Sequence, residues 1–193
     1  MSAQRQSRRK LLLLATMFLA PFVAAVILYF YAPSLIPEGR VNYGTLVSPA
    51  RALPALQLID AAGAPAPKAL QGKWSLLYLG GASCDEACQT RLLLVRQVRL
   101  ALAQDRRRVE RVYLAPSTEA LAAANTLLGP GHRDLVFLSE AEGKAATFFQ
   151  PADTNAIYLL DPLGNWLMVY TGVIEPKGLL KDLKKLLRYS QVG

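Results

Sequence analysis

The longest hydrophobic segment of the chain lies near its start, where 22 residues without a charged side chain run from Leu11 to Ala32. A helix of this length, rising 1.5 Å per residue, crosses the roughly 30 Å hydrocarbon core of a bilayer. A cleaved signal peptide is the competing interpretation, but its apolar region typically spans about 7–15 residues and ends at an A-x-A site. No such site follows this segment, so we expect an uncleaved transmembrane anchor over residues 11–32.

Basic residues are concentrated on one side of this anchor. Arg5, Arg8, Arg9 and Lys10 precede it, and only Arg40 follows it closely. Because positive residues stay on the cytoplasmic side, residues 1–10 are expected to be cytoplasmic and the rest of the chain to lie outside. The prediction is a single-pass inner-membrane protein with a periplasmic C-terminal domain, in a compartment where cysteines can be oxidised.

Two further regions follow the anchor. Residues 33–53 contain several prolines and glycines, which exclude a regular helix or a central strand and predict a spacer. Residues 54–193 have the length of one domain.

Within this domain, strand-like and helix-like hydrophobic patterns alternate. Trp74–Leu79 is a continuous apolar run bounded by glycines, as expected of a buried central strand. Predicted strands cover residues 56–59, 74–79, 111–115, 135–138, 156–160 and 166–170. Predicted helices cover residues 84–104, 117–128, 140–149 and 176–189. This order favours an α/β protein whose mixed central sheet is flanked by helices on both faces, and the thioredoxin-like fold has that order.

The charge of the chain changes this picture little. The formal net charge is +8, but four of the basic residues belong to the cluster before the anchor. From Thr45 onward, 17 Lys and Arg stand against 13 Asp and Glu, and they are dispersed along the sequence. Proteins that bind nucleic acid tend to carry clustered basic stripes, so we expect a solvated basic surface and no nucleic-acid partner.

The candidate chemistry is concentrated where the central strand gives way to a helix. Cys84 and Cys88 are the only cysteines of the chain. Ser83 and Glu86 have the spacing of a capping box, which would make Cys84 the first helical residue and place Cys88 one turn later. Two thiols at that spacing can close a disulfide or present two soft ligands to a metal ion. The helix N-terminus favours the thiolate of Cys84, whereas the neighbouring carboxylates, Asp85 and Glu86, oppose it.

An inert disulfide, or a pair of buried core thiols, is the alternative to a redox-active pair. Stabilising disulfides usually close long loops, and a loop of this length adds little stability. We therefore predict that Cys84 and Cys88 form a redox pair.

Two segments, together with the anchor, resemble the Sco/SenC proteins. They are residues 72–84 (GKWSLLYLGGASC) with Cys88, and residues 156–164 (AIYLLDPLG). The resemblance covers roughly residues 50–190. It implies a thioredoxin-like domain facing the periplasm or intermembrane space, and copper bound by two cysteines and a histidine. It also implies a role in building the copper centre of cytochrome c oxidase, with an oxidase subunit or other assembly factors as partners.

The sequence departs from the family pattern at the third ligand. Counting back from Pro162, the histidine position holds Asp153, and Asp85 and Gln89 replace the prolines that follow the cysteines. A carboxylate suits Cu(I) poorly, so Asp153 could be a weak ligand, tune the thiols or cap a turn. Two thiolates alone could still hold Cu(I) in linear fashion. The possible copper site is therefore Cys84 and Cys88, with Asp153 in the position of the missing histidine.

The only histidine of the chain is His132, which enters the predicted strand 135–138 from its amino end. The cysteines follow the carboxyl end of their own strand, so the two sites should lie at opposite edges of the sheet. We expect His132 to be a surface loop residue and not the missing ligand.

Three functions fit these features. The first is a membrane-tethered Sco-type factor that assists oxidase assembly by thiol–disulfide exchange or Cu(I) handling. The second is a general thiol–disulfide oxidoreductase without metal, and the third is a non-catalytic binding module. Reactive thiols would separate the first two from the third, and a partner restricted to an oxidase subunit would separate the first from the second.

Overall fold

The computed structural model describes residues 2–31, 42–150, 153 and 155–190. It divides into two compact units, Met1–Val41 and Asn42–Gly193. The first unit contains one helix, α1 (Ser2–Tyr31), and its segment Arg8–Tyr31 is long and apolar enough to cross a membrane. No other helix among the described residues meets that test. The apolar helix fits the predicted single-pass membrane protein, and Ala32, the last residue of the predicted anchor, lies outside the described residues.

The second unit is built on one sheet of seven strands. Their order across the sheet is β1-β7-β6-β3-β4-β5-β2. β3, β4 and β5 run parallel to one another, and the remaining neighbours pair antiparallel. The strands are β1 (Thr45–Ala52), β2 (Ile59–Asp60), β3 (Trp74–Leu79), β4 (Val109–Ala115), β5 (Leu135–Ser139), β6 (Ile157–Leu160) and β7 (Asn165–Tyr170). The predicted mixed sheet is confirmed.

Helices cover both faces of this sheet. They are α2 (Glu86–Ala101), α3 (Thr118–Leu128), α4 (Lys144–Phe148) and α5 (Pro176–Tyr189), with a 3₁₀ helix at Ala103–Arg108. α2, α3 and α5 contribute to one hydrophobic core and α4 to a second. β3 lies between the two cores, since Leu76 belongs to the first and Leu77 to the second. Its continuous apolar sequence is explained by burial on both faces.

The hairpin of β6 and β7 forms where the sequence predicts a turn. The side chain of Asp161 accepts hydrogen bonds from Leu163 N at 2.9 Å and from Asn165 N at 2.8 Å. Gly164 has a φ of 85°, in the left-handed region that favours glycine. The turn is therefore fixed by an aspartate and a glycine of the segment that resembles the Sco/SenC proteins.

The predicted spacer, residues 33–53, is wrong over part of its length. Residues 45–52 form β1, which among the described strands pairs with β7 alone, and the pairing register shifts between Leu46 and Arg51. Pro49 lies within this irregular stretch, and proline is tolerated on an edge strand because one side of the strand has no neighbour to bond. The prolines exclude a central strand, but they do not exclude this edge strand. Residues 33–41 lie outside the described part of the chain, and the spacer stays a prediction there.

Candidate functional site

The site is built on the turn that follows β3. Gly80 donates its N–H to the carbonyl of Leu114 on the neighbouring strand, at 2.8 Å. A Cβ at Gly80 would overlap the ring of Tyr113, which is completely buried. Glycine is therefore required where the chain leaves the sheet, and the close approach fixes the start of the loop that carries Cys84.

The helix cap differs from the predicted one. Asp85, and not Ser83, is the N-cap residue of α2, and its Oδ1 accepts the N–H of Cys88 at 2.8 Å. Aspartate caps helices as well as serine does, and its negative charge is also favoured at a helix N-terminus. Cys84 thus lies just before the helix instead of being its first residue, and Cys88 lies in the first turn.

Cys84 and Cys88 are joined in a disulfide, with 5.3 Å between their Cα atoms. Both are buried, at 6% and 3% exposure. The side-chain amide of Gln89 donates to the carbonyl of Cys84 at 3.4 Å. The pairing that the spacing allows is therefore present, and its redox activity stays a prediction.

A groove of about 350 Å³ runs along Cys88. The hydroxyl of Tyr78, at the end of β3, lies in it and donates to Asn155 Oδ1 at 2.6 Å. Burial, followed by the effects of Tyr113 and Asp85, raises the pKa of Tyr78 to about 12. Tyr78 is therefore a neutral hydroxyl at physiological pH, and it can donate a hydrogen bond in this groove but cannot act as a base.

Sequence reasoning missed Tyr78 and Asn155. Tyr78 is the single tyrosine of the apolar strand β3 and Asn155 follows Asp153 by two residues, so only their positions near the cysteines could have indicated a role.

Asp153 lines the same groove as Cys88, so the structure brings the two together as the alignment on the hairpin predicts. Its Oδ2 accepts the backbone N–H of Gly172 at 3.0 Å. The carboxylate is thus hydrogen-bonded to the loop that follows β7.

The donor set does not fit a Cys₂His copper site. Within the described ranges, no three His, Cys, Asp or Glu residues form a cluster that could hold a metal ion. The two sulfur atoms are bonded to each other, and the residue in the third position offers a hard oxygen that already accepts a backbone hydrogen bond. Copper could reach the two sulfurs only after reduction and without a nitrogen ligand.

A second groove, of about 680 Å³, borders the first turn of α2 and the loop after β7. Arg91 Nη2 donates to Gly172 O at 2.7 Å and connects the two elements. Val173 is completely exposed on the rim. The groove therefore combines apolar and cationic side chains with two acidic ones, since Asp85 and Glu86 also line it.

His132 is buried, at 5% exposure, and the expectation of a surface residue was wrong. Its Nδ1 lies 3.2 Å from Arg111 Nη1, and Asp134 Oδ1 accepts from Arg111 Nη2 at 2.5 Å. Arg111 has no exposed surface, and a buried guanidinium must be paired, which explains why His132 and Asp134 pack against it.

The expected separation of His132 from the cysteines is observed. β3 and β5 are both parallel to β4, so residues that precede β5 and residues that follow β3 lie at opposite edges of the sheet. His132 is therefore not part of the cysteine site.

Comparison with known proteins identifies relatives by sequence and by fold. A family model described as a transmembrane-like, thioredoxin-like, C-terminal domain matches residues 74–190. A search of curated protein sequences finds no match.

Among solved structures, yeast Sco1 has a TM-score of 0.62 and 17% identity, over 75% of this chain and 98% of that one. ScoI of Bradyrhizobium japonicum with copper bound has a TM-score of 0.55 and 23% identity, over 69% and 98% of the two chains. Apo Sco1 of Thermus thermophilus has a TM-score of 0.59 and 19% identity, over 77% and 99%. The resemblance to Sco proteins and the thioredoxin-like fold are confirmed.

Proposed function

The chain belongs to the family of transmembrane-like, thioredoxin-like C-terminal domains, and on that premise we propose that it is a membrane-anchored, Sco-type thiol–disulfide exchange protein. The observation that carries the proposal is the Cys84–Cys88 disulfide, which lies at the N-terminus of α2 with Cys88 in the wall of a groove. Helix N-termini favour a thiolate, and an exchange reaction requires one.

The exchange proceeds in two displacements. In the reduced protein, the Cys84 thiolate attacks one sulfur of a partner disulfide, a new S–S bond forms and the other partner sulfur leaves as a thiolate. The Cys88 thiolate then attacks Cys84 Sγ, and the second partner thiolate leaves as the Cys84–Cys88 bond forms. The partner gains two electrons and this protein loses two, so a membrane dithiol donor must reduce the pair for the next turnover.

The partner that we propose is a cytochrome c oxidase subunit whose copper-binding cysteines must be reduced before they can take the metal. A thiolate is the form of cysteine that binds metal, so a reductase for such cysteines precedes metal insertion. The likeness to Sco proteins supports this choice. An anchor in the same membrane supports it too, since a tethered domain acts on substrates near the bilayer.

Copper has no role in this mechanism because the residues do not fit the Cys₂His site. Handling of Cu(I) by the two reduced thiolates is the second candidate function. It is favoured by the copper bound in the Bradyrhizobium ScoI structure and opposed by Asp153 in this chain.

The experiment that tests the function is a disulfide trap in cells. Full-length Cys88→Ser lacks the resolving thiol, so Cys84 should stay bonded to its partner, and the matched control is the variant in which both cysteines are serine. Mass spectrometry of the adduct should identify an oxidase subunit. Adducts with many unrelated proteins would favour a general oxidoreductase. If no adduct forms, the proposal is refuted, and a non-catalytic binding module remains as the function.

A topology reporter tests the proposed orientation separately. Alkaline phosphatase fused after Gly193 should be active in bacteria, because the basic residues before the anchor keep the N-terminus inside. Activity from a cytoplasmic reporter alone at that position would contradict the proposed orientation.

A further inference from the structure

One face of α5 carries a cluster of positive charges, although the basic residues of the whole sequence are dispersed. Its exposed cations are Lys177, Lys181, Lys184, Lys185 and Arg188, which we call the α5 basic face. The only acidic residue of α5, Asp182, is buried on the opposite side. Within the described part of the chain, no salt bridge involves any of the five cations.

The α5 basic face also has apolar and aromatic side chains among its cations. The five cations lie beside Leu180 and Tyr189 on one exposed surface of α5. Tyr189 is 77% exposed, and exposed tyrosine rings favour the interface between lipid and water. The α5 basic face therefore combines cations for phosphate groups with a half-buried leucine and an exposed aromatic ring.

The chain enters the domain beside this face. Asp182 Oδ2 accepts hydrogen bonds from the backbone N–H groups of Tyr43 at 2.8 Å and Gly44 at 3.0 Å. These two residues are therefore hydrogen-bonded to α5. The Tyr43 ring packs over Gly178, where a Cβ would overlap it, and Lys181 Nζ lies 5.5 Å from the ring centroid. The first described residues of the domain thus contact the helix that carries the α5 basic face.

The number of residues between the apolar helix and the domain limits how far Asn42 can lie from Tyr31. Ten residues, 32–41, separate Tyr31 from Asn42. Even fully extended, such a segment spans at most roughly 40 Å. In an anchored protein, the backbone of Asn42, where the domain begins, therefore stays within that distance of the end of the apolar helix.

We propose that the α5 basic face docks on anionic lipid headgroups of the membrane that anchors the chain, and so sets the orientation of the cysteine site. The proposal rests on the proposed membrane anchor. Lipid is favoured over an acidic protein because the ten-residue connection keeps the domain close to the membrane that holds the proposed anchor. Each cation near an anionic surface strengthens binding roughly fivefold, so five of them dominate the orientation of a tethered domain.

Lysine footprinting of the full-length chain in vesicles tests the docking. In phosphatidylcholine vesicles with one-third phosphatidylglycerol, acetylation of Lys177, Lys184 and Lys185 should be severalfold slower than in phosphatidylcholine alone. Lys68, on another part of the surface, should react equally in both. High salt should abolish the difference, because the screening length falls from about 10 Å at 0.1 M to about 3 Å at 1 M.

Charge-matched variants give a second measurement. A fluorophore at the C-terminus should transfer energy to acceptor-labelled lipid in the anionic vesicles. The triple variant Lys177→Gln, Lys184→Gln, Lys185→Gln should lower the transfer to its level in phosphatidylcholine, since three lost cations weaken docking on the order of 100-fold. The control, Lys68→Gln, Arg133→Gln, Lys144→Gln, removes the same charge from other surfaces and should leave the transfer unchanged.

Flotation separates failure of this inference from failure of the anchor. A chain that does not float with vesicles would refute the anchor and the docking together. A chain that floats while its α5 lysines react equally in both vesicle types would refute the docking alone. Protection in native membranes but not in anionic vesicles would identify an acidic protein as the occupant and would overturn the lipid proposal.

Discussion

The carboxylate of Asp85 accepts the backbone N–H of Cys88, with 2.8 Å between Oδ1 and the nitrogen. The residue that starts the helix is therefore also a negative charge beside the disulfide. As a cap it stabilises the helix, but as a charge it disfavours a thiolate in the reduced protein. Asp85 should thus make the disulfide harder to reduce.

Substitution of Asp85 separates these two effects. Asparagine caps a helix as well as aspartate does but carries no charge. Asp85→Asn should therefore raise the reduction potential, on the order of 10–30 mV, because the reduced form loses a repulsion. Equilibration with glutathione, followed by alkylation and gel shift, measures the change.

Two further variants control this prediction. Asp105→Asn removes a charge from the exposed 3₁₀ helix and should leave the potential unchanged. Asp85→Ala should shift the potential in the same direction and also cost about 1 kcal/mol of stability through loss of the cap. An unchanged potential in Asp85→Asn would mean that the carboxylate acts only as a cap.

The sequence predicts which segment carries the site, but it does not predict which residue caps the helix there. The central strand 74–79 and the last helix 176–189 match the structure to the residue, because Gly80 ends the apolar run of the strand, Pro176 begins the helix and the amphipathic pattern continues to Tyr189. The cap was misassigned because Ser83 and Asp85 are both good caps, and only the backbone path decides between them. β1 was missed because Pro49 suits either an edge strand or a loop.

The burial of His132 is not visible in the sequence for a different reason. It depends on Arg111, which occupies an inward position of β4 where the pattern of that strand predicts an apolar residue. The partners of a buried charge come from other segments, here Asp134 and Leu92. Long-range pairing of this kind leaves no local pattern.

The hydroxyl of Tyr113 is buried and, among the described residues, has no hydrogen-bond partner. Removing an unpaired buried hydroxyl relieves a desolvation penalty, so Tyr113→Phe should raise the free energy of unfolding by about 1 kcal/mol. Urea unfolding of the disulfide-bonded domain from residue 42 onward measures this change.

Tyr78→Phe is the matched control, because the two rings stack at 5.8 Å but the Tyr78 hydroxyl donates to Asn155. That variant should lower the free energy of unfolding by about 1 kcal/mol. Equal destabilisation by both substitutions would show that the Tyr113 hydroxyl is hydrogen-bonded after all.

His132 should make the stability of the domain depend on pH. Burial, then the charges of Arg111 and Arg96, lower the pKa of His132 below its usual value, against the opposite effect of Asp134. The folded state thus favours the neutral ring. Its contribution is complete above the ordinary pKa of about 6.5 and is lost as the pH falls from there toward the lowered pKa.

A comparison with His132→Gln isolates this contribution. Glutamine can still accept from Arg111 but does not titrate, so its unfolding free energy should fall less than that of the wild type between pH 7.5 and 5. If the unfolding free energies of the two proteins change equally with pH, the His132 ring protonates as easily in the folded state as in the unfolded state.

The last prediction concerns copper and rests on Asp153, which shares a groove with Cys88 and bonds to Gly172 N instead of offering a nitrogen ligand. Imidazole suits Cu(II) while thiolates suit Cu(I), so a site without histidine should fail to hold both oxidation states. After reduction of the disulfide, the wild-type domain should bind Cu(I) at most weakly and form no stable Cu(II)–thiolate site. Asp153→His should strengthen binding, because the groove already brings residue 153 to the cysteines.

The measurement is a copper titration of both reduced proteins, followed by the thiolate-to-copper absorption and by competition with a Cu(I) chelator. Asp105→His, which places the same residue on the exposed 3₁₀ helix, is the control and should bind no better than the wild type. Tight Cu(II) binding by the wild type would show that another residue supplies the third ligand. If Asp153→His has no effect, a side chain at position 153 cannot reach the reduced sulfurs, and Asp153 must be given up as the position of the missing histidine.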